Sequence, residues 1–316
     1  MPTLGSLRHT VATVENLQGI VRTMKTLAAA SIRQYEQAVA AVADYERAVR
    51  LGLAAILGEA APLRPQPNSH VGGVTPDDES RYFHGNPASS SRRELIVGVV
   101  AFGSDHGLCG RFNEDLAGHI RATLAEFPRH RHRIMVVGVR LAAVLESMGL
   151  VPEQTFYTPA AATGIVQTLR QLLPALEQWR SAGVERLLLC QQHPQAGMHP
   201  TPRMLVLLPL DPATLQSPGP WPGRSLPGHY GHREALLTTL LSEWLFVAFF
   251  RACAESLASE HASRLLAMQN AERNIEDKLA ALRALYHQQR QEAITTELLD
   301  VIVGFEALLT LCPDPL

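Results

Sequence analysis

One turn in this chain carries residues that chemistry can use. Gly103-Ser104-Asp105-His106-Gly107-Leu108-Cys109-Gly110-Arg111 lies between an apolar run and an amphipathic one. Three glycines at a strand-to-helix junction allow a tight turn and bring backbone N–H groups to a helix N-terminus, where anions are favoured. The glycine spacing matches neither a dinucleotide fingerprint nor a phosphate loop, and no Lys-Ser/Thr pair follows. His106 and Cys109 also read as a nucleophile with its base, which requires a thiolate within hydrogen-bond reach of the imidazole. Nearness in sequence does not supply that geometry, and the favoured reading of Cys109 is a buried packing residue. The histidines of Arg129-His130-Arg131-His132-Arg133 lack a third ligand, and this tract reads as a solvated loop. His193 and His199 have the same weak status, so no cofactor and no metal is expected.

The elements that must position these residues are dominated by the two ends of the chain. From Leu7 an apolar or small residue returns every seventh position (Val14, Val21, Ala28, Tyr35, Val42, Val49), with a second row near Val11, Leu17, Met24, Ile32, Val39, Tyr45 and Leu53. That is a heptad seam. Between Gly231 and Cys312 there is no proline, and a weaker seam runs through His261, Met268, Ile275 and Leu282, with Leu265, Ala271, Leu279 and Leu285 beside it. At 1.5 Å per residue the helices are roughly 75 Å and about 120 Å long. Each narrow apolar stripe needs a helix to cover it, and the expectation is an antiparallel two-helix coiled coil. Polar residues interrupt the second seam at His261, Gln289 and Thr296, so part of this surface is expected to meet other proteins.

Between the ends, residues 58–93 are rich in Pro, Gly, Ser, His and charge and read as a flexible loop. Strands are expected at Leu95 to Phe102, Ile134 to Val139, Glu185 to Gln191 and Met204 to Leu208. Helices are expected from Asn113, as N-cap, to about Phe127, over Leu141 to Met148, and from about Thr163 to Trp179 with a bend at Pro174. The fold class is therefore α/β: a small inserted domain with a mostly parallel sheet, carried by the coiled coil. The expected divisions are a shaft helix at 1–57, the loop at 58–93, the α/β domain at 94–208, a Pro/Gly-rich linker at 209–230 and a second shaft helix at 231–316.

A formal net charge of −2 gives no general pull toward nucleic acid or anionic lipid. The four cysteines are widely spaced, form no Cys-x-x-Cys pair and follow no secretory signal, which points to a cytoplasmic setting. The most apolar run, Trp244 to Phe250, is bounded by Glu243 and Arg251 and is too short to span a bilayer, so no transmembrane segment is expected.

Four segments together carry a family resemblance: Val14–Gln18 through Met24–Ala30, Ser104–Gly110, Ser259–Ala271 and Arg290–Leu298. They resemble, in the same order, the gamma subunit of F-type rotary ATP synthases. The resemblance implies a central rotor shaft inside a ring of alternating alpha and beta subunits, with the α/β domain as a foot near the membrane c-ring and the epsilon subunit. Nucleotide would be bound and hydrolysed by the beta subunits, leaving this chain a non-catalytic, peripheral subunit on the cytoplasmic face of the inner membrane. It further implies that Met24, Lys25, Arg290, Gln291, Thr295 and Glu297 contact the beta subunits, and that Leu308, Leu309 and Leu311 sit in an apolar sleeve of the alpha-beta ring. This chain departs from the pattern at Gly19, where the family usually has lysine, and at His106 and Arg111, where it has arginine and glycine. The competing classes are a coiled-coil adaptor and a cysteine-dependent α/β enzyme.

Overall fold

A computed structural model describes residues 3–58, 95–195, 199–210 and 232–311. Gly58, placed in the expected loop, is the last residue of the first helix, and the rest of that loop (59–93) and nearly all of the expected linker at 209–230 lie outside these residues. The elements in chain order are α1 (Leu4–Gly58), β1 (Ile96–Phe102), α2 (Phe112–Ala125), β2 (Arg131–Val137), α3 (Val139–Ser147), β3 (Gln154–Phe156), α4 (Ile165–Ser181) after a 3₁₀ turn at Ala162–Gly164, β4 (Val184–His193), β5 (Thr201–Leu208) and α5 (Arg233–Leu311). Helices of 55 and 79 residues thus flank a mixed α/β region, as the seams predict. The described residues form two compact units. One holds α1 up to Ser31, Leu108–Gly110 and α5 from His261; the other holds α1 from Ile32, the sheet with its helices, and α5 up to Glu260.

In the second unit the strands stand in the order β3-β2-β1-β4-β5. The first four run parallel, and β5 returns antiparallel to β4. Helices cover both faces, which is why β1 reads as an unbroken apolar run rather than an alternating one. Val97, Val99, Ala101, Ile134 and Val136 pack under α2 and α3, through Leu116, Ile120, Leu141 and Leu145. On the other face Val100, Phe102, Met135 and Leu189 meet Leu169 and Trp179 of α4, Tyr35 of α1, and Phe249, Cys253 and Leu257 of α5. Gly98 permits this packing, since a Cβ there would stand 2.8 Å from the Trp179 ring.

Several expectations are corrected. Asn113 is not the cap of α2: the helix starts at Phe112, and the Asn113 side chain turns inward, accepting from Ser104 N at 3.1 Å and donating to Ser104 Oγ at 2.8 Å. Arg131, His132 and Arg133 are the opening of β2 rather than loop. The Arg133 guanidinium lies 5.2 Å from the Trp179 ring centre and pairs with Glu153, so its charge is held near the start of β2. Strand β3 is missed in the sequence because its three residues, half-buried or exposed at the edge, leave no apolar run.

The seam of α1 holds in its first row: Leu7, Val14, Ala28, Tyr35 and Val49 are buried. Its second row holds at Val11, Ile32, Val39 and Leu53 and shifts by one residue at Leu17, Met24 and Tyr45. Leu17 and Tyr45 are 48% and 47% exposed, and heptad spacing from Val11 places Gln18, Lys25 and Glu46 there instead. Apolarity alone selected the wrong neighbours, because these polar positions are satisfied by partners on α5: Gln18 donates to Glu276, Lys25 pairs with Glu272, and Glu46 pairs with Arg251. In α5, Leu285 likewise lies outside the seam, at 39% exposed.

The stretch around Trp244 to Phe250 belongs to the one described helix that contains an 18-residue window apolar enough, with a mean hydropathy of 1.5, for a membrane crossing. Its charged neighbours argue for a core role. Glu243 accepts from Tyr45 Oη at 2.8 Å, Arg251 is bound to Glu46 and Glu255, and Val247, Phe249, Ala252 and Cys253 are buried.

Candidate functional site

In a sheet of this order, ligands enter the crevice between β1 and β4, the strands from which the chain departs in opposite directions. Here the crevice is filled by the chain itself. Ser256 Oγ of α5 donates to Phe102 O at the end of β1 (2.7 Å), and Ser259 Oγ to Gln192 O at the end of β4 (3.1 Å). Gln192 Nε2 in turn donates to Phe112 O, the first residue of α2. The turn after β1 is tied down as well. Asp105 accepts from Val139 N through Oδ1, and from Thr158 N and Oγ1 through Oδ2, all at 2.8 Å. Its carboxylate thereby serves the N-terminus of α3, a backbone anchor rather than an acid or base in reach of substrate. Cys109 is 2% exposed, so its thiol is not presented to a reactant. Burial also pushes the thiols of Cys190 and Cys253 upward, away from the thiolate form. Among the described residues no group of three His, Cys, Asp or Glu is placed to hold a metal ion.

The surface of the helices is different. Arg290, Gln291, Thr295 and Glu297 are all exposed on α5. Thr295 Oγ1 donates to Gln291 O at 2.9 Å, one turn back, and a shallow polar face is lined by Gln288, Gln291, Glu292, Thr295 and Thr296. From Ile294 to Gly304 every residue of α5 is exposed, including Leu298, Leu299, Val301, Ile302 and Val303. Helix α5 runs on to Leu311, with the side chains of Leu308, Leu309 and Leu311 outside the described set.

On α1, Met24 is half-buried, and Lys25 Nζ is engaged by Glu272. Lys25 first, then Arg22, holds the Glu272 carboxyl below the usual carboxylate range. Arg22, at 2.9 Å from Glu272, and Arg283, at 2.6 Å from Glu15, extend this interhelical ladder. Sequence reasoning missed the ladder and also an exposed apolar row formed by Leu17, Ile20 and Leu27. The available signal was the opposite charge of residues meeting in antiparallel register.

A family model described as ATP synthase matches residues 3–308. The chain is 27% identical over 319 residues to an ATP synthase gamma chain of Anaeromyxobacter sp. (strain Fw109-5), covering 98% of this chain and 100% of that one. It is 25% identical over 302 residues to a gamma chain of Neisseria gonorrhoeae (strain NCCP11945), covering 94% and 97%. Its fold is similar to a chain in the mitochondrial ATP synthase of Euglena gracilis (OSCP/F1/c-ring, rotational state 3), with a TM-score of 0.59 at 16% identity over 99% of this chain and 97% of that one. With a crevice closed by its own helix, an exposed polar face on α5 and a family match along nearly its whole length, the chain belongs to the ATP synthase family, among its gamma chains.

Proposed function

We propose that this chain is the central rotor shaft of an F-type ATP synthase or ATPase, coupling rotation of a membrane ion-translocating ring to synthesis or hydrolysis of ATP in an alpha-beta ring. The chain itself is non-catalytic and peripheral, on the cytoplasmic face of the inner membrane. Residues 1–57 and 231–316 form the shaft, and 94–208 a foot facing the epsilon subunit and the c-ring. The observation that carries this reading is the run of exposed residues along α5 from Ile294 to Gly304, a long helix face with no partner among the described residues. Apolar surface of this extent marks an interaction site. Arg290, Gln291, Thr295 and Glu297, with Met24 and Lys25, are assigned to contacts with the beta subunits, and Leu308, Leu309 and Leu311 to the sleeve of the ring. Lys25 shares its charge with Glu272, so its contact is the weaker of the set. A net polar contact is worth about 0.5–1.5 kcal/mol, enough to bias one rotary state and weak enough to break at each step.

The test is Gln291→Leu and Thr295→Val in the assembled complex. ATP turnover is expected to fall several-fold while the isolated chain keeps its unfolding midpoint. Wild-type turnover in complexes shown to contain the variant chain removes the contact assignment. Failure of the tagged chain to recover alpha and beta subunits removes the rotor reading and favours an adaptor.

A further inference from the structure

A rotor must resist sliding and rolling where its helices join the foot. The contact of α5 with the sheet is apolar over much of its area, and apolar contact is non-directional, so by itself it opposes such slip weakly. One cluster within the second unit is directional. The Glu255 carboxylate, buried on α5, accepts from Gln191 Nε2 at 2.7 Å and lies 3.1 Å from His193 Nδ1 at the end of β4. Its other oxygen accepts from Arg251 Nε at 2.7 Å, and Arg251 Nη1 reaches Glu46 Oε2 of α1 at 2.9 Å. Ser256 and Ser259, on the same stretch of α5, fasten it to β1 and β4.

We infer that Glu255 is the torsional tie of the rotor, a positioning residue that locks α5, and through Arg251 also α1, to the sheet. Hydrogen bonds weaken steeply as they bend. Rotating α5 about its axis or sliding it along the sheet would pull Glu255 Oε2 away from both β4 groups, Gln191 and His193, leaving that oxygen of a buried carboxylate desolvated, while Arg251, on the same helix, moves with Glu255 and away from Glu46. The same displacement would break both serine bonds. An apolar residue at this position would fill space without fixing the azimuth of the helix. The inference rests on the rotor reading, since only a torque-bearing chain has need of the lock.

Glu255→Leu tests it in the complex reconstituted into vesicles, by the ratio of ATP-driven ion pumping to ATP hydrolysis. The ratio is expected to fall by about threefold or more, a shift within the range of a single ordinary net hydrogen bond, with hydrolysis by the detached soluble complex little changed. If Glu255→Leu prevents the chain from accumulating, Glu46→Gln, which releases only the outer arm, is measured instead and is expected to lower the ratio by a smaller factor. An unchanged ratio with the chain present at wild-type amount overturns the inference, and so does an equal fall of pumping and hydrolysis. Either result leaves the rotor reading standing, because recovery of alpha and beta subunits with the wild-type chain tests that separately.

Discussion

Two stretches of α5 differ in everything but their backbone. From Ala252 to Glu260 every residue is buried; from Ile294 to Gly304 every residue is exposed. The buried stretch is built of small residues (Ala252, Cys253, Ala254, Ser256, Ala258, Ser259), which let the helix lie close on the sheet. The exposed stretch carries Ile294, Leu298, Leu299, Val301, Ile302 and Val303, the larger and more apolar set. Hydrophobicity therefore does not tell which part of this helix is inside. The small stretch holds the helix, and the large one displays surface that nothing among the described residues covers.

Phe249→Ala puts the greatest strain on that contrast. Phe249 is 0% exposed and its ring centre lies 6.4 Å from that of Phe102, so truncation is expected to cost about 3–5 kcal/mol. Leu298→Ala, at 58% exposed, is expected to stay within about 0.5 kcal/mol in the isolated chain. Denaturant midpoints for the full chain decide it, and comparable losses at the two sites would break the comparison.

The same contrast marks how far the sequence could be read. Both long helices were legible because a heptad repeat is a periodic signal, and β1, β2 and β4 because buried parallel strands are continuous apolar runs; β5, antiparallel and largely half-buried or exposed, was legible from the short apolar run Met204 to Leu208. The second seam row on α1 was not, since Gln18, Lys25 and Glu46 are acceptable there only with their partners on α5, and pairing across the whole chain is not a local property. Polar interruptions of the α5 seam at His261, Gln289 and Thr296 were visible in the sequence, whereas the contact assignment of Arg290, Gln291, Thr295 and Glu297 rested on the resemblance. Glu255 was not, because a glutamate in a helix of mixed composition reads as solvated until the sheet beneath it is known.

A change of pH probes the start of the coil stretch of α5. Burial first, and Arg264 second, lowers the His261 imidazole from its ordinary value to about 4. A base whose folded value is depressed stabilises the fold fully above the unfolded value, near 6.5, and that contribution is lost as pH falls from there toward 4. The loss is expected to be on the order of 2 kcal/mol, read as a drop in urea midpoint between pH 7 and pH 4.5. His261→Gln is expected to flatten that drop, and an equally steep profile in the variant would mean that other groups govern acid lability.

The smallest effect belongs to Gly19. It lies inside α1, and a Cβ built there meets nothing within 4 Å, so no packing among the described residues calls for glycine. Glycine in a helix interior costs up to about 1 kcal/mol relative to alanine, and Gly19→Ala is expected to raise the stability of the isolated chain by that order. The assembled complex gives the second reading. On a surface facing only water, the added methyl leaves turnover unchanged. Gly19 is flanked on α1 by Leu17 and Ile20, a row left exposed by the described residues. If the alpha-beta ring closes on this row, the methyl meets it, and turnover falls although the chain has become more stable. Opposite signs for stability and turnover would place α1 around Gly19 with the displayed stretch of α5; unchanged turnover would leave it a plain solvent face.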